Sequence, residues 1–182
     1  MQTVGKSLGS SMASIGSRLT DLAYRGLGSR WFSTTSEAAP LTCELLGRAT
    51  TSIHIVCTDA DPHPLLTDCI VQSLHANAVK NPELDVALVC GPNPINSTLD
   101  ALRHSNLADL PNVRVVGMNE RPSLTWVVVD GAHVRIDHPR DGGKGSAHGR
   151  IAYDSAALAG TLEDKFRALL RRAARKDQSP QR

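Results

Sequence analysis

Aromatic side chains are scarce here: two Trp, two Tyr and two Phe in 182 residues. A core must then be built from Val, Leu, Ile and Ala, and stacking platforms for nucleobases are poorly provided for. No run of about 18 apolar residues occurs, so no membrane-spanning helix is expected. None of the four cysteines (Cys43, Cys57, Cys69, Cys90) forms a Cys-x-x-Cys pair, and none has a His at zinc-finger spacing. They read as buried free thiols of a reducing compartment. There is no internal repeat. The length fits one domain with a proper core rather than two.

The net charge of +2 conceals three regions. Residues 1–35 carry four basic residues and one acid, residues 36–164 nine basic and sixteen acidic, and residues 165–182 seven basic and one acid. An acidic body with basic ends is a poor general surface for nucleic acid.

The first 35 residues read as an address. Val4, Leu8, Met12, Ile15, Leu19 and Leu22 recur at steps of three and four, on one helical stripe amid serines and basic residues. That is the composition of an organellar transit peptide. Arg30-Trp31-Phe32-Ser33 resembles a mitochondrial processing site, with a cut before Ser33. Mitochondrial (matrix) import is the expectation, with a cytoplasmic protein bearing a disordered tail as the alternative.

Residues 36–176 read as the folded domain and 177–182 as a disordered tail. Thr34 and Glu37 form a capping-box pair ahead of a helix to about Arg48, with Leu41, Leu45 and Leu46 inward. Thr51–Cys57 is β-branched and predicts a strand. A helix is expected over 65–79. Leu84–Cys90 is nearly all apolar, as in a strand buried on both faces. A helix is expected over 96–106, and strands over 113–118 and 124–129. Asp130-Gly131 signals a hairpin returning through His133–Asp137. Residues 139–149 read as a glycine-rich loop and 150–153 as a short last strand. A final helix begins near Asp154 or Ser155, with Leu158, Leu162, Phe166, Leu169, Leu170 and Ala173 on one face. The fold class is α/β: a mixed β-sheet flanked by helices, with a C-terminal hairpin and a closing helix.

This order resembles the phospholipase-D-like superfamily. "ATTSIHIVCTDAD", "LDVALVCGPNP", "LPNVRVVGMNE", "LTWVVVDGAHVRID" and "LEDKFRALLRRA" look like its successive strands, catalytic hairpin and closing helix. The likeness covers roughly residues 36–175. The family's motif is H-x-K-x-x-x-x-D: the His is the nucleophile, the Lys neutralises phosphate, and the Asp at the turn orients the imidazole. Here the Asp position is Asp130, but Ser123 stands for the His and Thr125 for the Lys. The downstream G-S-x-N falls on Asp137-His138-Pro139-Arg140 and does not match. The resemblance thus implies the fold without the chemistry. It also implies dimerisation across the active-site edge.

Other candidates are plainer. Asp137 and His138 are either a charged pair at the hairpin end or an exposed polar strand terminus. Gly142-Gly143-Lys144-Gly145-Ser146 does not meet the spacing of a phosphate-binding loop. Asp59, Asp61 and His63 cluster like hard metal ligands but, alternating with Pro, read as turn caps. No cofactor or metal is implied. His54 reads as a hydrogen-bonded strand residue, and His75 and His104 as helix-surface residues. Arg167, Arg171, Arg172, Arg175 and Lys176 lie opposite the apolar face of the last helix, a solvated face that could meet RNA, anionic lipid or an acidic partner. The reading is a non-catalytic module with a protein partner or a homodimer. The alternatives are a phosphodiesterase or phosphatidyltransferase-like enzyme completed by another chain, and a weak nucleic-acid- or anion-binding protein.

Overall fold

The computed structural model describes residues 28–58, 65–91, 102, 104–138 and 148–176. The predicted helix over 96–106 and the loops 59–64 and 139–147 lie wholly or mostly outside them. A seven-stranded mixed sheet runs in the order β1-β7-β6-β5-β2-β3-β4. Its strands are β1 (Ser29–Phe32), β2 (Ser52–Cys57), β3 (Asp85–Cys90), β4 (Val113–Gly117), β5 (Thr125–Val129), β6 (His133–Asp137) and β7 (Gly149–Ala152). The helices are α1 (Thr35–Leu46), α2 (Asp68–Lys80) and α3 (Ala156–Lys176), with a 3-10 turn at Leu107–Asp109.

β2, β3 and β4 are parallel, and every other neighbouring pair is antiparallel. Parallel neighbours need a crossover, which α2 supplies between β2 and β3. α1 and α2 cover one face of the sheet, meeting Ile53, Ile55, Val86, Leu88, Val127 and Val129. α3 covers the other, setting Ala159, Leu162 and Phe166 against Val56, Val89, Trp126, Val128 and Ile136. β3 therefore has covered faces on both sides, as its unbroken apolar run predicts.

Local signals act as read. The Thr34 hydroxyl caps α1 by accepting from the Glu37 N–H at 3.2 Å. The Glu37 carboxylate reaches one residue further back than a capping box requires, accepting from the Ser33 N–H at 2.8 Å and its hydroxyl at 3.1 Å. Asp130 and Gly131 both have positive φ, 53° and 62°, the backbone of a primed hairpin turn.

β1 is the departure. Its four residues pair antiparallel with β7, Phe32 opposite Gly149, and Phe32 is buried. The folded unit thus begins ahead of residue 36 and takes in residues set aside as leader. A cut before Ser33 would remove the strand. Four residues are too few to show an alternation, and Arg30 and the exposed Trp31 beside the single buried Phe32 leave no apolar pattern to read.

Candidate functional site

The C-terminal ends of β2, β3 and β6 and the start of β5 meet at one end of the sheet, where Thr125 falls with Ser123 just ahead of it. Thr125 opens β5 and is 6% exposed. Its hydroxyl oxygen accepts the Thr58 N–H at 3.2 Å and lies 3.3 Å from the Thr58 hydroxyl. Ser123 is exposed in the approach to β5.

Beside Thr125 in the register is Asp137, the last residue of β6. Two residues earlier on the same face is Arg135, at 0% exposure the largest fully buried side chain. Arg135 Nε donates to Asp137 Oδ1 at 2.7 Å and Nη2 to Oδ2 at 2.8 Å. Its Nη1 donates to the Thr42 hydroxyl of α1, which itself donates to the Ala38 carbonyl. The guanidinium also lies 4.9 Å from the centre of the Phe32 ring. A buried charge needs this degree of pairing to be tolerated. Gly149 makes room for it: a Cβ there would run into the Ile136 carbonyl oxygen and come within 2.8 Å of the Phe32 ring.

Cys57 and Cys90 end adjacent strands in direct register under this cluster, both buried. The hydrogen bond Cys57 gives to Cys90, with burial, pushes the Cys57 thiol well above the ordinary range, and accepting that bond pulls Cys90 down.

Asp137 and His138 do not form a pair. Successive strand residues point to opposite faces, so Asp137 turns to Arg135 while His138 turns to the other side. There its ring lies 6.2 Å from Trp31 and 6.2 Å from His148. Trp31 is 54% exposed, with the Arg150 guanidinium 5.9 Å from its ring. His148 Nδ1, Arg150 Nε and Trp126 Nε1 are buried and have no hydrogen-bond partner among the described residues. Trp31, His148 and Arg150 escaped the sequence reading because only strand pairing brings them together.

Asp130 lies at the far end of β5 from Thr125, roughly 16 Å away along an extended strand. The orienting role implied by the resemblance has no geometry there. Instead its carboxylate accepts the N–H groups of Thr50, Thr51 and Ser52 at 2.8–3.2 Å, and both threonine hydroxyls. Burial opposes its charge, but these bonds hold its pKa at about 2.

His54 joins β2 to α3. Its Nδ1 is 2.7 Å from Glu163 Oε1, its Nε2 is 3.4 Å from Asp85 Oδ2, and its ring stacks on Phe166 at 4.6 Å. Burial works against the imidazolium, but bonding and attraction from Glu163, then Asp85, leave its pKa raised. Arg167, Arg171 and Arg172 are exposed on α3, and Arg172 lies 3.8 Å from Glu120. Arg175 and Lys176 are in its last turn, their side chains outside the described residues. His75 is half-buried on α2 and His104 is exposed. Asp59, Asp61, His63, Pro139, Arg140 and the glycine-rich loop lie outside the described residues. No group of three or more potential metal ligands occurs among the described residues, and no described helix is long and apolar enough to cross a membrane.

A scan against protein-family models and a search of curated proteins give no match. Solved structures do match. An archaeal chromatin protein, TrmBL2, described as showing a novel mode of DNA binding, aligns with TM-score 0.58 at 12% identity, over 91% of this chain and 64% of that one. Nuc from Salmonella typhimurium, a phospholipase D family member, aligns with TM-score 0.59 at 16% identity, over 79% of this chain and 93% of its own. Phosphatidylserine synthase of Haemophilus influenzae aligns with TM-score 0.56 at 15% identity, over 75% and 35%. Together with the mixed seven-stranded sheet and its flanking helices, these likenesses show that this chain has the phospholipase-D-like fold.

Proposed function

We propose that the chain is a non-catalytic phospholipase-D-like domain that serves as a binding or assembly module, as a subunit of a mitochondrial complex. One observation carries this reading. Where the resemblance places the family's lysine, Thr125 is buried against Thr58, and the neighbouring Arg135 guanidinium is buried and engaged by Asp137, Thr42 and the Phe32 ring. Among the described residues, neither Thr125 nor Arg135 presents a free cation to a phosphate here, and phosphoryl transfer depends on such charge. The acidic body suits a basic or mixed protein surface better than a nucleic acid.

The test has two arms. The purified chain is assayed against an aryl phosphodiester and a phosphatidyl lipid, and the tagged protein is recovered from fractionated native cells. No turnover, with recovery in mitochondria at fixed stoichiometry with a partner, is the expected result. Turnover that is lost in Asp137→Asn would overturn the reading and favour an enzyme completed by a second chain.

A second reading, weak nucleic-acid or anion binding, is favoured by the exposed Trp31 beside His138, His148 and Arg150. Its test is anisotropy of a labelled single-stranded oligonucleotide. Binding that weakens roughly tenfold in Trp31→Ala supports it, and no binding at low salt removes it.

A further inference from the structure

Spaced along the chain without a motif, the four cysteines fall into two couples in the fold. Cys57 and Cys90 are opposed on β2 and β3, both sealed in the core. Cys43 and Cys69 come together across the α1–α2 contact: Cys43 Sγ donates to the Cys69 carbonyl at 3.7 Å, and burial, then the neighbouring Cys69, push the Cys43 thiol above its ordinary range. Cys69 is exposed and Cys43 half-buried. The Thr67 hydroxyl sits 3.3 Å from Cys69 Sγ.

We propose that Cys43 and Cys69 form a redox-responsive pair that closes a disulfide between α1 and α2 on exposure to a hydroperoxide. The Cys69 thiolate attacks one peroxide oxygen; the S–O bond forms, the O–O bond breaks, and hydroxide leaves. The sulfur is oxidised to sulfenic acid and the peroxide is reduced. That hydroxide takes up the Cys43 proton as water, and the Cys43 thiolate attacks the Cys69 sulfur; the S–S bond forms, the S–O bond breaks, and the leaving hydroxide takes up the proton that Cys69 had released to solvent, as the second water. Two thiols and one hydrogen peroxide thus give one disulfide and two waters.

Exposure separates this pair from the other, since oxidants reach Cys69 first and a sealed thiol is inert. Cys43 directly follows Thr42, the α1 residue that holds Arg135. A bridge at Cys43 would fix α1 against α2 and, with it, that side of the buried cluster.

The experiment treats the reduced full-length chain with equimolar hydrogen peroxide, followed by alkylation, intact mass and peptide mapping. The expected wild-type result is a loss of about 2 Da with a Cys43–Cys69 linkage, reversed by a dithiol reductant. The melting temperature should rise by on the order of 5 °C. Cys69→Ser should show no mass loss, and Cys43→Ser should instead gain about 16 Da at Cys69. Because Cys69 is exposed, its serine variant keeps the fold, which circular dichroism checks. A linkage mapped to Cys57–Cys90, a Cys69-linked dimer, or four unreacted thiols under conditions that oxidise a free thiol peptide would each overturn the proposal.

Discussion

Asp130 and His54 each have a charge tuned by a dedicated set of partners, and their pH signatures have opposite sign. The Asp130 carboxyl is depressed from 3.8 to about 2. Its contribution is complete above its ordinary pKa and is lost as pH falls through about 2. Since this carboxylate is partly open to solvent, screening leaves about 1 kcal/mol of the nominal gain. Asp130→Asn is therefore expected to lower stability by about 1–2 kcal/mol near neutral pH, the deficit shrinking under acid, as urea midpoints over a pH series would show. His54 is raised above 6.5, so its stabilisation is full below that value and is lost as pH rises through the folded-state pKa. The same urea series on Glu163→Gln should lack that alkaline loss. Asp130 was visible in the sequence as half of a turn signal, yet the turn does not reveal that its carboxylate binds residues 50–52, because that contact spans about 80 positions.

At the scale of elements, the buried pair of β6 is the sharpest test of what holds the site end together. Arg135→Met leaves the Asp137 carboxylate buried without its bidentate partner, and a loss of about 3–5 kcal/mol is expected by chemical denaturation. The double variant Arg135→Met/Asp137→Ala should recover part of it, because the uncompensated charge is then gone. The β2, β3 and β5 runs and the closing helix were legible from periodicity, because each buries a face long enough to leave a pattern. Arg135 was not: within His133–Asp137 it reads as an outward polar residue, and only the Thr42 of α1 and the Asp137 two positions on make its burial tolerable. β1 was not either, since four residues carry too little alternation and its partner β7 lies at the other end of the sequence. The reference for a truncation test is a chain beginning at Gly28. One beginning at Ser33 loses the buried Phe32 and exposes the edge of β7, with a cost of about 3–5 kcal/mol and aggregation visible by light scattering.

For the molecule as a whole, the fold was readable because the order of strands and helices, rather than any single motif, carries it. Of the site, the sequence offers one expectation, carried by the resemblance: Ser123 and Thr125 stand where ionisable groups would be. The cluster around Arg135 and Asp137 depends on side chains from β1, α1 and β6 and on the close approach of β7 at Gly149, which no local window contains. The pairing of β1 with β7 also gives the domain a mechanical polarity. Force applied at the N-terminus loads a four-residue edge strand with a single neighbour, whereas β2 and β5 are gripped on both sides. A motor threading the chain from that end would strip β1 first and open the Phe32 side of the Arg135 cluster before any central strand yields. Resistance to traction is thus lowest where the charge is buried deepest.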